Sequence, residues 1–309
     1  DQTLAVDPAP RAPHPWPYPC PRDREAGIEA YQARATAEEY RSRRARGETG
    51  AWDHIHSNDA DSPVLQVIVS KVEDMSADVN KYDFRSPDGS DLPEWTAGAH
   101  LDIVVAPEFL RQYSMSGDPA DRSKYQIGVL REDAGRGGSK LLHRIFTEGR
   151  RIFISKPINH FPLEEGAAKS FLMGGGIGVT PMIAMAHRLH ALGRPFELHY
   201  SISDRAAAGY LPDLAQAPWA DRVHVHVSKE GTRADLDQVL AGYQAGYHVY
   251  TCGPDRYMQG VLEAAERQGF PEEARHLEYF SVPEVPEYEN HPFTLRLRKS
   301  GRALHVPAD

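Results

Sequence analysis

Arg111-Gln112-Tyr113-Ser114 sets a guanidinium, an amide, a phenol and a hydroxyl in consecutive positions. Residues two apart on an extended strand share a face, so Arg111 and Tyr113 point the same way and Ser114 follows at once. A phosphate asks for such a cation, and a flat aromatic ring asks for such a surface, with a hydroxyl near its reactive nitrogen. That set suits a flavin; it equally suits an edge strand with an exposed arginine. Gly135-Arg136-Gly137-Gly138-Ser139 precedes a helical run. Its glycines allow close backbone approach, and the amides of the following helix start form an anion site, unless the loop is only a flexible turn with a serine cap. Gly174-Gly175-Gly176-Ile177-Gly178-Val179-Thr180-Pro181 follows an apolar run, with proline placed for a helix's first turn. It departs from G-x-G-x-x-G but works by related mechanics: Gly175, Gly176 and Gly178 would let a pyrophosphate rest on the backbone ahead of a helix dipole. A tight strand-to-helix turn is the plainer alternative. Cys252-Gly253-Pro254 closes a later strand, where ligands of parallel sheets gather, although a cysteine there is most often a small buried residue.

The elements that must position these residues follow from periodicity. From Val64 the chain is rich in short runs of β-branched and aromatic residues: LQVIVSKVED, AHLDIVVA, RQYSMS, KYQIGVL and RRIFISK. Turns at Pro87-Asp88-Gly89 and Gly117-Asp118-Pro119 punctuate them. Strands at this spacing predict a small antiparallel barrel. One exception, Gly137 to Phe146, places Leu141, Leu142, Ile145 and Phe146 at helical spacing. After Gly166 strands alternate with helices: SFLMGG, a helix from Pro181 to Leu192, FELHYSI, VHVHV, a helix in ADLDQVLAGY, HVYTCG and a helix from Asp255 to Gln268. Such alternation predicts a parallel sheet covered on both faces. The last segment, FTLRLRKSGRALHVP, reads as two strands around Lys299-Ser300-Gly301. Two strands are not a stable domain, so they read as the opening hairpin of a further module. The predicted fold class is therefore an antiparallel β-barrel followed by a parallel-sheet α/β domain. The predicted boundaries are 1–62 for a linker with a peripheral helix, 63–165 for the barrel, 166–282 for the α/β domain and 283–309 for a linker and hairpin.

Within the first segment, Asp7 to Pro21 is dense in proline and favours polyproline conformation, while Arg24 to Arg46 reads as a charged helix with a thin apolar stripe. A solvated linker and a docking arm for another domain both fit it. A formal net charge of −9 argues against nucleic acid as a partner. No apolar run is long enough to span a membrane, and no basic segment leads into an apolar stretch after Asp1, so a cytoplasmic protein without a secretory signal is expected. The two cysteines, Cys20 and Cys252, are too few for a disulfide framework or for a cluster ligated by this chain.

The order R-x-Y-S, GRGGS, GGGIGVTP, CGP is more specific than any single motif. With YQIGVLREDAGRGGS, INHFPL and HLEYF, it resembles the phthalate dioxygenase reductase family of the ferredoxin-NADP reductase superfamily, over about Pro63 to Ser281. The resemblance implies a flavin-binding barrel, a nicotinamide-binding α/β domain and a C-terminal plant-type 2Fe–2S ferredoxin domain. It implies that Arg111, Gln112, Tyr113 and Ser114 hold flavin phosphate and ring, and that Gly128, Val129 and Leu130 line the ring by backbone contacts. Gly137, Gly138 and Ser139 would cradle the phosphate, and Phe280 would cover the ring. Ser114, Thr180, Cys252 and Glu278 would stand at the reacting centre, with Gly175, Gly176, Gly178, Ser203, Asp204, Cys252, Gly253 and Pro254 around the nicotinamide cofactor. Ser281 replaces the glycine often found after the aromatic. No metal ligand is assigned; C-x₄-C-x₂-C cluster ligands would lie beyond Asp309.

GRGGS resembles the FMN branch, with FAD as the alternative. In Ser201-Ile202-Ser203-Asp204-Arg205, a carboxylate can accept ribose hydroxyls and repel a 2′-phosphate, which favours NADH; Arg205 could instead attract that phosphate, leaving NADPH as the alternative. The expected function is hydride transfer from NADH to bound flavin and onward single-electron transfer, with a ferredoxin domain and a terminal oxygenase or demethylase as partners. The alternatives are a reductase of free flavin or soluble ferredoxin and a non-catalytic electron-transfer subunit of a larger complex. Arg131, Arg136, Lys140, Arg144, Arg150 and Arg151 form either a ferredoxin-docking face or a solvated face offset by Glu132, Asp133 and Glu148.

Overall fold

The computed structural model describes residues 64–106, 109–133, 137–280, 292–296 and 302–307. The proline-rich segment, the helix read at Arg24 to Arg46, Gly135, Arg136, Ser281 and the Lys299-Ser300-Gly301 turn lie outside the described residues.

Seven strands build the first sheet: β1 (Val64–Asp74), β2 (Val79–Arg85), β3 (Ala99–Ala106), β4 (Phe109–Ser114), β5 (Tyr125–Leu130), β6 (Arg151–Ser155) and β7 (Ile158–Asn159). Their order is β4-β3-β6-β1-β2-β5, with β7 paired to β3, and all pairings are antiparallel. A bridge between Met115 and Ile127 joins the two edge strands and nearly closes the barrel. Alternation fills it: Leu65, Val67 and Val69 of β1 are fully buried, as are Leu101 and Ile103 of β3. Helix α1 (Gly138–Ile145) covers one end, with Leu142 buried.

The second sheet is parallel, in the order β10-β9-β8-β11-β12, from β8 (Lys169–Gly175), β9 (Phe196–Ile202), β10 (Val223–Val227), β11 (Tyr247–Cys252) and β12 (Arg275–Glu278). Strand order reverses between β8 and β11, so the carboxyl ends of those two strands open a crevice of the kind where ligands bind. Helix α2 (Val179–Ala191) lies on one face and is buried nearly all round, Met182, Met185, Ala186 and Leu189 included. One continuous apolar core runs from the barrel through α2 to the sheet. Truncating a residue such as Met185 to Ala is expected to cost about 2–5 kcal/mol. On the other face α5 (Asp255–Arg267) packs Val261, Ala264 and Ala265 against Phe171, Met173 and Val249.

The helix expected in ADLDQVLAGY is a single turn, α4 (Leu236–Val239), because Gly242 takes a left-handed φ of 76° soon after it. Another short helix, α3 (Leu211–Gln216), and strand β2 gave no clear periodic signal. Lys81 and Asp83 occupy the face of β2 that an exposed sheet would turn to water, yet both are buried here. Asp213 of α3 takes Lys81 at 2.5 Å, and Lys124 takes Asp83 at 3.1 Å. The α/β unit covers that outer face. The hairpin read near the C-terminus forms β13 (Phe293–Arg296) and β14 (Ala303–Val306), paired antiparallel. Among the described residues no helix is long and apolar enough to cross a membrane.

Candidate functional site

The barrel and the parallel sheet meet where the sequence motifs converge. Ser114, at the end of β4, donates its hydroxyl to Glu278 Oε2 at 2.9 Å across 164 positions of sequence. Burial lifts the Glu278 carboxyl to about 7, while the Ser114 hydrogen bond pulls the other way. Cys252 stands opposite Glu278 in the β11–β12 register and is fully buried. Burial pushes its thiol well up, the Glu278 charge adding to the effect, so it is a neutral thiol and not a nucleophilic thiolate. Thr180, in the first turn of α2, is also buried and donates its hydroxyl to the Ile177 carbonyl at 3.0 Å. Just beyond Glu278, Tyr279 and Phe280 are each 45% exposed, two of the few large apolar side chains so placed among the described residues. They present an aromatic surface beside the half-buried Glu278 carboxyl.

On the barrel side, Arg111 lies against the start of α1. A Cβ on Gly138 would strike its guanidinium, so the glycine leaves the charge room at the helix N-terminus. Gly137 caps that helix with φ 88°, and Ser139 Oγ accepts from Glu132 N at 3.1 Å, tying the loop back to the end of β5. Tyr113 packs along the same face, where burial raises its phenol. Gln112 turns the other way: its Nε2 lies 2.9 Å from His100 Nε2 and 2.9 Å from Asp102 Oδ1. A cofactor contact from residue 112 would therefore come from its backbone. Gly128 has a packing reason of its own, since a Cβ there would strike the Tyr210 ring and hydroxyl; Val129 is core, and its carbonyl accepts from His143 Nε2 at 2.9 Å. Leu130 packs at the edge of the same core.

The glycine loops of the second sheet interlock. Gly178 faces the Cys252 carbonyl so closely that a Cβ would meet it, and Gly253, at φ 148°, lies against Gly175. Gly176 takes φ 55°. Positive φ and absent side chains together leave bare backbone at the crevice. Beside it opens a cleft of about 590 Å³ lined by Gly175, Gly176, Ser203, Asp204, Pro254 and Tyr257 among others. Asp204 Oδ1 accepts from Ala206 N at 3.0 Å, and its other oxygen meets Lys229 at 2.8 Å, which lowers the carboxyl below its ordinary range. Arg205 is engaged by Glu230 at 2.8 Å. Ser228, Arg233, Arg256 and Tyr257 also line this cleft and were not singled out from sequence. Arg233 Nε donates to Ser228 Oγ at 3.2 Å. Their signal lay in position: all follow the carboxyl ends of β10 and β11, where ligands of parallel sheets gather.

The residues fit both expected groups. A phosphate has Arg111 and a helix start cleared by glycine, a flat ring has Tyr113, Tyr279 and Phe280, and a dinucleotide has a glycine-floored cleft at the switch point.

Residues 152–274 match the family described as dimethylamine monooxygenase subunit DmmA-like, N-terminal domain. Vanillate O-demethylase oxidoreductase of Pseudomonas putida is 41% identical over 247 residues, covering 80% of this chain and 78% of that protein. The heme-dependent oxidative N-demethylase beta subunit of Ectopseudomonas mendocina is 36% identical over 248 residues, again covering 80% and 78%. Among solved structures, phthalate dioxygenase reductase, described as modular for electron transfer from pyridine nucleotides to [2Fe-2S], superposes with a TM-score of 0.68 at 33% identity, covering 79% of this chain and 77% of that one. The ordered motifs, the barrel joined to a parallel sheet and these similarities agree: the chain belongs to the phthalate dioxygenase reductase family of the ferredoxin-NADP reductase superfamily, the oxidoreductase components of oxygenase and demethylase systems.

Proposed function

We propose that the protein is an NADH-dependent FMN reductase that delivers electrons through a 2Fe–2S ferredoxin centre to an oxygenase or demethylase. The observation that carries this reading is the Ser114–Glu278 hydrogen bond of 2.9 Å, which brings the barrel's R-x-Y-S strand against the carboxyl end of the parallel sheet. When bound, the flavin accepts a hydride from the nicotinamide and returns the electrons one at a time. This chain's residues supply position and electrostatics for that exchange. Arg111 and the start of α1 hold the phosphate, which fits FMN because its terminal phosphate matches a single cationic pocket. Ser114 offers a hydroxyl at the ring's edge, and Glu278, titrating at about 7, can hold or release a proton on Oε2 at neutral pH. Cys252 stays a neutral, buried thiol at the end of β11, and Phe280 with Tyr279 would cover the bound ring against water. No strong acid–base dyad is needed.

Asp204 supports NADH as the cofactor, since its carboxylate suits ribose hydroxyls and repels a 2′-phosphate. A second reading, use of NADPH as well, is favoured by one observation: Lys229 already neutralises Asp204 at 2.8 Å, and Arg233 adds a cation to the cleft wall. Acid extraction with mass spectrometry, followed by steady-state ferricyanide reduction with each nucleotide, tests the proposal. FMN in the extract, two ferricyanide reduced per NADH and a higher kcat/KM for NADH support it. FAD alone, or a preference for NADPH, removes the corresponding part.

A further inference from the structure

We propose that Glu197, His199 and His224 form a binding site for one divalent transition-metal ion of the zinc type, on the outer edge of the parallel sheet. Glu197 and His199 are two apart on β9 and share a face, and His224 of the edge strand β10 is the register partner of His199. One ligand atom from each residue falls within 4.8 Å of the other two. Ligands of a tetrahedral ion with bonds of 2.0–2.2 Å stand roughly 3.4 Å apart. His199 Nε2 and Glu197 Oε2, at 3.2 Å, already meet that spacing. His224 is exposed, and turning its ring off the His199 stack brings its nitrogen in to complete the set.

The surroundings prepare the two inner ligands. His199 is 4% exposed, so the surrounding packing holds its ring in place. Its second nitrogen, Nδ1, lies 3.0 Å from His226 Nε2. Once Nε2 takes a metal, Nδ1–H donates to that ring and fixes tautomer and orientation, as outer partners of ligating histidines do. Glu197 is aimed in the same manner: Lys169 Nζ donates to Oε1 at 2.7 Å, leaving Oε2 turned to His199. Two imidazoles and one carboxylate, with the exposed side left for water, suit zinc, and nickel or copper more generally, ahead of calcium or magnesium. The competing account is purely structural. His199 stacks between His224 and His226 at centroid distances of 4.7 and 5.3 Å, and such a stack can simply cap a sheet edge. This inference does not depend on the reductase reading.

The test is equilibrium dialysis of the full chain, stripped with a chelator and desalted, against Zn²⁺, with the bound metal counted by mass spectrometry. Cobalt(II) serves as a visible-absorption probe of coordination. The site predicts one zinc per chain, at least tenfold weaker binding in His224→Ala and in Glu197→Gln, and loss of the four-coordinate cobalt spectrum in both. His224 and Glu197 are chosen because both are accessible; circular dichroism melts matched to the wild type confirm that the fold is kept. Substoichiometric zinc in the wild type, or affinity and cobalt spectrum unchanged in both variants, overturns the proposal and leaves the stack as packing alone.

Discussion

Glu278→Gln is the perturbation whose effect follows most directly from the geometry. In the folded chain this carboxyl titrates at about 7, lifted by burial from its ordinary 4.5. The unfolded chain loses the proton near 4.5 and the folded chain near 7, so folding takes up a proton between those values. Stability contributed by this group therefore falls as pH rises through that window and levels off above it. At 1.36 kcal/mol for each pH unit, the ionised carboxyl is disfavoured by about 3 kcal/mol above pH 7, an upper figure because the side chain is only half-buried and solvent screens it. Glutamine keeps an acceptor for the Ser114 hydroxyl and cannot ionise in either state. The stability of the variant relative to wild type should therefore climb by up to about 3 kcal/mol between pH 4.5 and 7.5, then stay level. Urea unfolding at half-unit pH intervals, at matched flavin occupancy, measures the difference. A difference flat across that range to within about 0.5 kcal/mol would mean the carboxyl is solvated and ordinary, and the proton-holding role given to it would have to be abandoned.

Arg111→Ala should weaken flavin retention by about 1.5–3 kcal/mol, the worth of a charge-assisted hydrogen bond, read as the flavin dissociation constant by fluorescence; retention equal to wild type would place the phosphate elsewhere. Asp204→Ser should narrow the preference for NADH by removing like-charge rejection, measured as the ratio of kcat/KM for the two nucleotides. Because Lys229 is then released to a 2′-phosphate, the gain should be smaller in Asp204→Ser/Lys229→Ala; equal ratios in both would exclude the lysine. Lys140→Glu/Arg144→Glu should slow reduction of a separate ferredoxin, more at low salt than at high salt, and leave nucleotide-to-flavin transfer unchanged in stopped flow. Lys140 already meets Asp133 at 3.2 Å and Arg131 meets Asp78 at 2.5 Å, so the net field is reduced, and equal slowing of both steps would point to damage at the flavin site.

Much of this architecture could be read from the chain because its strongest signals are local. Glycine runs followed by helices, strands alternating by two and apolar residues recurring by three and four each obey short-range geometry. Hence β8, α2 and the loop of Cys252-Gly253-Pro254 were legible. Strand β2 was not, since Lys81 looks solvent-facing until Asp213 of α3 meets it, and Asp83 until Lys124 and Gln126 do; such long-range pairing is absent from any window of sequence. The same limit applies at the site. Glu278 entered only through a resemblance, because its pairing with Ser114 joins the barrel to the last strand of the parallel sheet across 164 positions. Gln112 reads as part of a binding motif, yet its side chain serves His100 and Asp102 on the opposite face. Asp204 was visible as a carboxylate after a strand, whereas its neutralisation by Lys229 depends on how β9 and β10 align. In VHVHV the alternation announced a strand; that its histidines stack on His199 was a matter of register.

The central claim is that this chain takes a hydride from a nicotinamide cofactor onto a flavin held between its two units. Anaerobic titration of the flavin-loaded protein with NADH, followed by absorbance near the flavin's visible maximum, tests it most directly. The account predicts bleaching complete at one NADH per flavin, with NAD⁺ formed in equal amount and colour restored by an added one-electron acceptor. A stably bound flavin that keeps its full absorbance under excess NADH and excess NADPH would contradict it.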